Sequence, residues 1–252
     1  MRRGDADPTS RAATVQRRWL AWWGWLALCA ACRATDDLEQ HEPRSASPDN
    51  PHNAGLERAF SLDDGALRLV RVQGRTPLAD LAASSQASTF LLAVNAGFFD
   101  AELRPVGLAS SDGRELAAFD ATLGGGVLWT SNGVAHLTAA EEFHQETFDF
   151  ALPARPRLVV QGRNNIKRDD GIRAARTALC LRRGGREVIV MRRAEAGAGP
   201  SLHSFALELV GKGCEEALNL DGGPSAAWAS AEGMWLEPHT PIAMVVVVER
   251  KP

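Results

Sequence analysis

Phe90-Leu91-Leu92-Ala93-Val94 is an unbroken apolar run that stops at Asn95-Ala96-Gly97-Phe98-Phe99-Asp100. A short run without polar alternation predicts a strand in the interior of a sheet, covered on both faces. Further strands flank it. Leu67-Arg68-Leu69-Val70-Arg71-Val72 alternates loosely, as a half-buried strand does. Residues 127–130 and 134–137 bracket Asn132-Gly133, a pair that tolerates positive φ and so predicts a hairpin. Residues 158–161 read as another strand, 177–181 and 188–191 as a second hairpin about Gly184-Gly185, and 242–248 as a closing strand. Thr138-Ala139-Ala140-Glu141 has the spacing of a capping box that opens a short helix. Helical spacing is kept from Ser201 to Gly211 by Leu202, Phe205, Ala206, Leu209 and Val210, with Gly211 and Gly213 suited to end it. Strands outnumber helices and do not alternate with them regularly. The expected class is α+β, a single domain of mixed, largely antiparallel sheets flanked by a few helices, not a doubly wound fold.

Composition agrees with one globular domain and narrows the function. Of 252 residues, 45% are hydrophobic and 23% charged, which is ordinary globular usage. The net charge of −3 supplies no basic footprint for nucleic acid. Four Cys are too few for a disulfide scaffold, and no paired C-x-x-C motifs mark structural zinc. The six His are scattered, with no ligand spacing, so neither a metal nor another cofactor is expected; His203, beside the helix start, is the one worth testing.

The amino terminus departs from that average. Trp19, Trp22, Trp23 and Trp25 open a charge-free run that lasts to Cys32, behind Arg2, Arg3, Arg11, Arg17 and Arg18. A positive segment, a short apolar core and small residues after it predict an export signal over residues 1–32. The apolar run falls short of the roughly 20 residues that span a bilayer. Cys29-Ala30-Ala31-Cys32 resembles a lipobox, which would make Cys32 a lipid-attachment site and tie the protein to a membrane; simple signal-peptidase cleavage is the alternative. Residues 33–55, rich in Asp, Glu, Ser, Pro and His, have too little apolar surface to fold and are expected to form a flexible tether. Residues 56–252 then make the folded domain, in the periplasm or cell envelope.

Two segments break their local pattern in ways that suit chemistry. Asn95 at the exit of the buried strand sets an amide beside Phe98, Phe99 and Asp100. In Asn219-Leu220-Asp221-Gly222-Gly223-Pro224-Ser225, alternation sends Asn219 and Asp221 to one face. The two glycines leave room for a ligand to approach the backbone, and successive N–H groups there can form an anion nest. The plain alternative is a tight turn in which Asp221 caps its own backbone. Arg176 opens an apolar strand and either lies outward or grips an anion; Arg155-Pro156-Arg157 is equally ambiguous. Cys180 and Cys214 either pair or remain buried thiols.

Taken in order, Asn95-Ala96-Gly97-Phe98-Phe99, Pro105-Val106-Gly107-Leu108, Arg157-Leu158-Val159, Arg176-Thr177-Ala178 and Leu218-Asn219-Leu220-Asp221-Gly222-Gly223-Pro224-Ser225 resemble the blocks of the phosphodiester glycosidase family. The chain departs from its pattern at Ala96, Pro224 and Ala226, changes that resemble an exported bacterial branch. The resemblance implies hydrolysis of the bond between a sugar's anomeric carbon and a phosphodiester oxygen. It implies Asp221 as nucleophile or base, Arg176 as phosphate clamp and Asn95 as a contact to sugar hydroxyls or phosphate. The substrate-binding set would comprise Gly222, Gly223, Ser225 and Asn219 from the last block, and Gly97, Phe98 and Phe99 from the first. Arg157 and Thr177 complete it. Asp100 and Glu208 are candidates for a second carboxylate. The rival reading is a non-catalytic lipoprotein that holds a phosphorylated glycan on the same scaffold.

Overall fold

The computed structural model describes residues 55–251 apart from 73–77, 79, 81–88, 108, 112–113, 118–123, 145–146 and 195–198. The expected export signal with Cys32, and all but the last residue of the expected tether, lie outside the described residues.

The apolar run from Phe90 to Val94 forms, with Asn95, strand β3 (Phe90–Asn95). It is the central strand of a five-stranded sheet, between β14 (Trp228–Ser230) and β16 (Met244–Arg250), with β15 (Trp235–Leu236) and β2 (Gly65–Arg71) at the edges. A six-stranded sheet runs in the order β1 (Leu56–Ser61), β12 (Glu187–Arg193), β11 (Arg176–Arg182), β13 (Glu216–Asn219), β9 (Arg157–Val160), β10 (Arg163–Asn164). A third sheet runs β5 (Arg114–Ala117), β4 (Ala109–Ser111), β8 (Phe150–Ala154), β6 (Gly126–Ser131), β7 (Val134–Ala139). Every strand pairing among the described residues is antiparallel, so the fold is sheet-rich and the mixed component of the expectation is absent from them.

Strands buried on both faces explain the continuous apolar runs. On β11, Leu179 and Leu181 enter the core shared by the three sheets, while Ala178 and Cys180 face the other way, into a second cluster under the helix. On β16, Val246 and Val248 join the shared core and Val245 and Val247 a third cluster. Period-two alternation is therefore still present, but both faces are apolar.

A single α-helix is described in full, α1 (Leu202–Gly211), rather than the few that were expected. Ser201 caps it by accepting from the Ser204 N–H at 3.2 Å. At its end Cys214 N–H reaches Leu209 O at 3.1 Å and Gly213 N–H reaches Val210 O at 2.9 Å, with Gly213 at φ +78°, the arrangement of a Schellman cap. Phe205, Ala206 and Leu209 pack onto the six-stranded sheet, and a Cys180–Cys214 disulfide joins β11 to the chain just past the helix. The expected capping box does not form. Thr138 Oγ1 instead accepts from Trp129 Nε1 at 3.0 Å, and the turn at Ala140–Glu142 is a 3-10 turn whose cap residue is Ala139.

Candidate active site

The site is built where the chain leaves one sheet for another. After β13 it crosses from the six-stranded sheet to β14, and four backbone hydrogen bonds hold the crossing. Asn219 N–H donates to Pro156 O (3.1 Å), Leu220 N–H to Thr177 O (2.9 Å), Asp221 N–H to Ala96 O (3.1 Å) and Gly223 N–H to Ala175 O (2.8 Å). Asp221 is thereby fixed among the starts of β9 and β11 and the end of β3.

Asn95 explains itself here. It is only 1% exposed; its Nδ2 donates to Asp221 O at 2.6 Å, and its Oδ1 accepts from Thr177 Oγ1 and Ala227 N–H, both at 3.0 Å. A buried amide so fully engaged holds the frame and is not among the cavity-lining residues. Asn95 holds the backbone carbonyl of Asp221, Thr177 holds Asn95 and the Leu220 N–H, and neither lines the cavity.

A cavity of about 480 Å³ opens beside this frame, within the usual range for small-molecule sites. Arg176 and Asp221 both line it, as do Asn219, Gly222, Gly223 and Phe98. At Gly222 a Cβ would lie 2.5 Å from Ala175 O, so only glycine allows the backbone to run this close to β11. The anion nest is not formed. Gly222 N–H donates to Asp221 Oδ1 at 2.8 Å and Gly223 N–H to Ala175 O, so both glycines line the cavity with their donors already engaged. Asp221 Oδ2 has no protein partner among the described residues.

Arg176 donates through Nε to Pro200 O (3.3 Å) and through Nη2 to Ile172 O (2.9 Å). These bonds orient the guanidinium and leave three of its five N–H groups without a protein partner among the described residues. Burial pulls its pKa below the ordinary arginine value, with Asp170 partly opposing, and the group stays charged. Asn219 Nδ2 donates to Arg155 O at 3.0 Å, while its Oδ1 is buried without a hydrogen-bond partner. A buried acceptor of that kind calls for a donor.

Other expected residues fall elsewhere. Ser225 sits in the turn after the glycines, its hydroxyl 3.5 Å from Thr240 Oγ1, and does not line the cavity. Arg157 packs over Gly126, and Gly97 packs under Pro153 O, so each serves strand docking. Neither candidate second carboxylate reaches the cavity: Asp100 is bound by Arg104 at 2.7 Å and Glu208 by Arg193 at 2.6 Å. Asp221 is the one carboxylate among the described lining residues. Arg155, Pro156, Ala174 and Leu202 line the cavity without having been among the expected site residues. Arg155 had shown itself in the Arg155-Pro156-Arg157 triplet, but strand periodicity could not tell which arginine turned inward. No three His, Cys, Asp or Glu side chains converge on a metal site among the described residues.

Comparison with known proteins now adds to this geometry. The chain resembles a hypothetical protein from Synechocystis (16% identity, TM-score 0.58), covering 78% of this chain and 59% of that one. It also resembles the zebrafish N-acetylglucosamine-1-phosphodiester alpha-N-acetylglucosaminidase catalytic domain auto-inhibited by its pro-peptide (15% identity, TM-score 0.59), covering 82% and 86%. An exported-protein candidate from Burkholderia pseudomallei matches at 14% identity and TM-score 0.55, covering 77% and 73%. At these identities the likeness establishes the fold. No curated protein matches in sequence. The family model for phosphodiester glycosidase matches residues 88–249, which include every segment that builds the cavity. The chain belongs to the phosphodiester glycosidase family.

Proposed function

We propose that the protein hydrolyses the bond between a sugar's anomeric carbon and the phosphate oxygen of a sugar-1-phosphodiester. The observation that carries this reading is the convergence of Arg176 and Asp221, 45 positions apart in the chain, on one cavity beside Gly222, where a Cβ would strike Ala175 O. A phosphate monoester leaves readily, so the chemistry needs little help from a general acid. That suits a cavity whose described lining holds one carboxylate. Asp221 acts at the anomeric carbon, as nucleophile or as base for water, while Arg176 stabilises the charge that collects on the departing phosphate. The anomeric C–O bond breaks, water supplies the new oxygen on the sugar, and a phosphate monoester is released. The buried Oδ1 of Asn219 accepts a sugar hydroxyl.

The binding-only reading is favoured by one feature: Asp221 already accepts the Gly222 N–H through one oxygen, as a structural turn residue does. A panel of sugar-1-phosphodiesters in 18O-labelled water separates the two. Label in the sugar supports the proposal; label in the phosphate, or no turnover by a protein that still binds the esters, overturns it.

We further propose that the protein is exported through residues 1–32 and held at the membrane by lipid on Cys32. The Cys180–Cys214 disulfide supports an oxidising compartment. Among the described residues no helix is long and apolar enough to cross a membrane.

A further inference from the structure

A second, smaller cavity of about 200 Å³ adjoins the first, and the two share a partition made by Phe98 and Arg155. The Arg155 guanidinium carbon stands 5.9 Å from the centre of the Phe98 ring, so cation and ring form one wall with a face in each cavity. Beyond the partition the described lining is Phe99, Val106, Gly124, Pro153 and Ala154, which leaves Arg155 as its one charged group.

This cavity is preformed. Val106 N–H donates to Phe98 O at 3.0 Å and Phe99 pairs with Pro105, which closes the 98–106 segment on itself. Arg104 and Asp100 lock the turn between them at 2.7 Å. Gly97 lets β8 come close from the other side, since a Cβ there would lie 2.7 Å from Pro153 O. An apolar cavity of roughly 150 Å³ takes a benzene ring. The second cavity thus has room for a ring or a branched alkyl group, but not for a sugar with its hydroxyls unsatisfied.

We infer that the smaller cavity is a subsite for an apolar aglycone, and that Arg155 holds the phosphate where the substrate passes from one cavity to the other. The inference rests on the proposed function for the placement of the phosphodiester, with its sugar in the larger cavity. It adds the substrate class: phosphodiesters of hydrophobic alcohols are preferred over those of small polar ones.

Binding tests the inference without turnover. Calorimetric titration of the full chain with methyl phosphate and with benzyl phosphate is expected to show at least tenfold tighter binding of the benzyl ester, equivalent to 1.4 kcal/mol. Phe99→Ala is expected to reduce that ratio to about threefold or less without changing methyl phosphate affinity. Phe99 also packs into the core, so Val106→Phe, which fills the cavity from a half-buried position, provides an independent reading with thermal melting as the folding control. Arg155→Ala is expected to weaken both esters by a similar factor. Equal affinity for the two esters, a ratio untouched by Val106→Phe, or no binding of either overturns the subsite. Hydrolysis is scored separately. A protein that cleaves sugar-1-phosphodiesters yet binds both esters equally keeps the proposed function and loses the subsite. One that prefers benzyl phosphate but cleaves nothing does the reverse.

Discussion

Strand β11 ends in an arginine on either side, and the two arginines are treated differently. Arg182, at the hairpin end, meets Glu187 at 2.7 Å and also donates to Lys212 O. Arg176, at the cavity end, is held by two backbone carbonyls and makes no ion pair among the described residues. One end of the sheet neutralises its cation and the other keeps it charged in a partly buried cavity. A charge in such a place, only partly offset by Asp170, is costly unless an anion arrives, and costs of that kind cluster at functional sites.

The largest effect is expected at the carboxylate that shares the cavity with Arg176. Asp221→Asn keeps the oxygen that accepts the Gly222 N–H, so stability should hardly change, while kcat on a sugar-1-phosphodiester should fall at least about 1000-fold, or about 4 kcal/mol. Near-normal turnover would remove Asp221 from the chemistry. An effect of similar energy but opposite character is expected at the disulfide. Joining residues 34 apart limits the unfolded chain, and Cys180→Ala with Cys214→Ala should cost about 4 kcal/mol in denaturant unfolding with kcat preserved. Arg176→Ala should lower kcat/KM by about 100-fold, about 2.7 kcal/mol, with kcat falling as well as KM rising. The matched Arg182→Ala should leave both constants alone and cost at most about 1 kcal/mol of stability. If the two variants behave alike, the contrast between the strand ends carries no functional meaning. Gly222→Ala pushes a methyl against Ala175 O and should cost about 1–3 kcal/mol, visible as a lower Tm along with lost activity.

The smallest effect is expected at Glu216, where burial raises the carboxyl pKa and Oε2 lacks a partner. Its native state binds the proton more tightly than the unfolded chain does. The group therefore subtracts nothing at pH values below the ordinary carboxyl range, and stability declines as pH climbs through the raised value. Glu216→Gln should raise Tm slightly at neutral pH, and the gain should vanish under acid conditions; a gain that persists in acid would have another cause.

Much of the fold was legible because strands and turns are local. The Asn132-Gly133 hairpin appears with both residues at positive φ, and the helical spacing read between Ser201 and Gly211 becomes a helix over Leu202–Gly211, with Gly213 at positive φ just past its end. Strand β8 was illegible because Pro153 argues against a strand. It nonetheless forms, paired with β6 from Phe150 to Ala154 and with β4 at Phe150 and Ala151. In the site, Asp221, Asn219, Gly222 and Gly223 stood out by type and spacing, whereas Arg176 was ambiguous in isolation and was singled out by the family resemblance; all of them line the cavity. Asn95 was correctly singled out as unusual, but its role was not legible, because its three partners come from distant parts of the chain.

By itself the sequence determined β3 and the closing strand, the two hairpins, the helix, and the family to which the chain belongs, since those depend on periodicity, φ preferences and motif residues read within a few positions. Only the tertiary structure decided which polar groups face the cavity. The crossing from β13 to β14 directs Asp221 and Arg176 to one cavity, turns Asn95 and Thr177 into its frame, engages the glycine donors, and brings Arg155 rather than Arg157 to the partition. The physical reason is that a buried polar group must satisfy its hydrogen bonds within the fold, and which partners are in reach is settled by strands that meet in space.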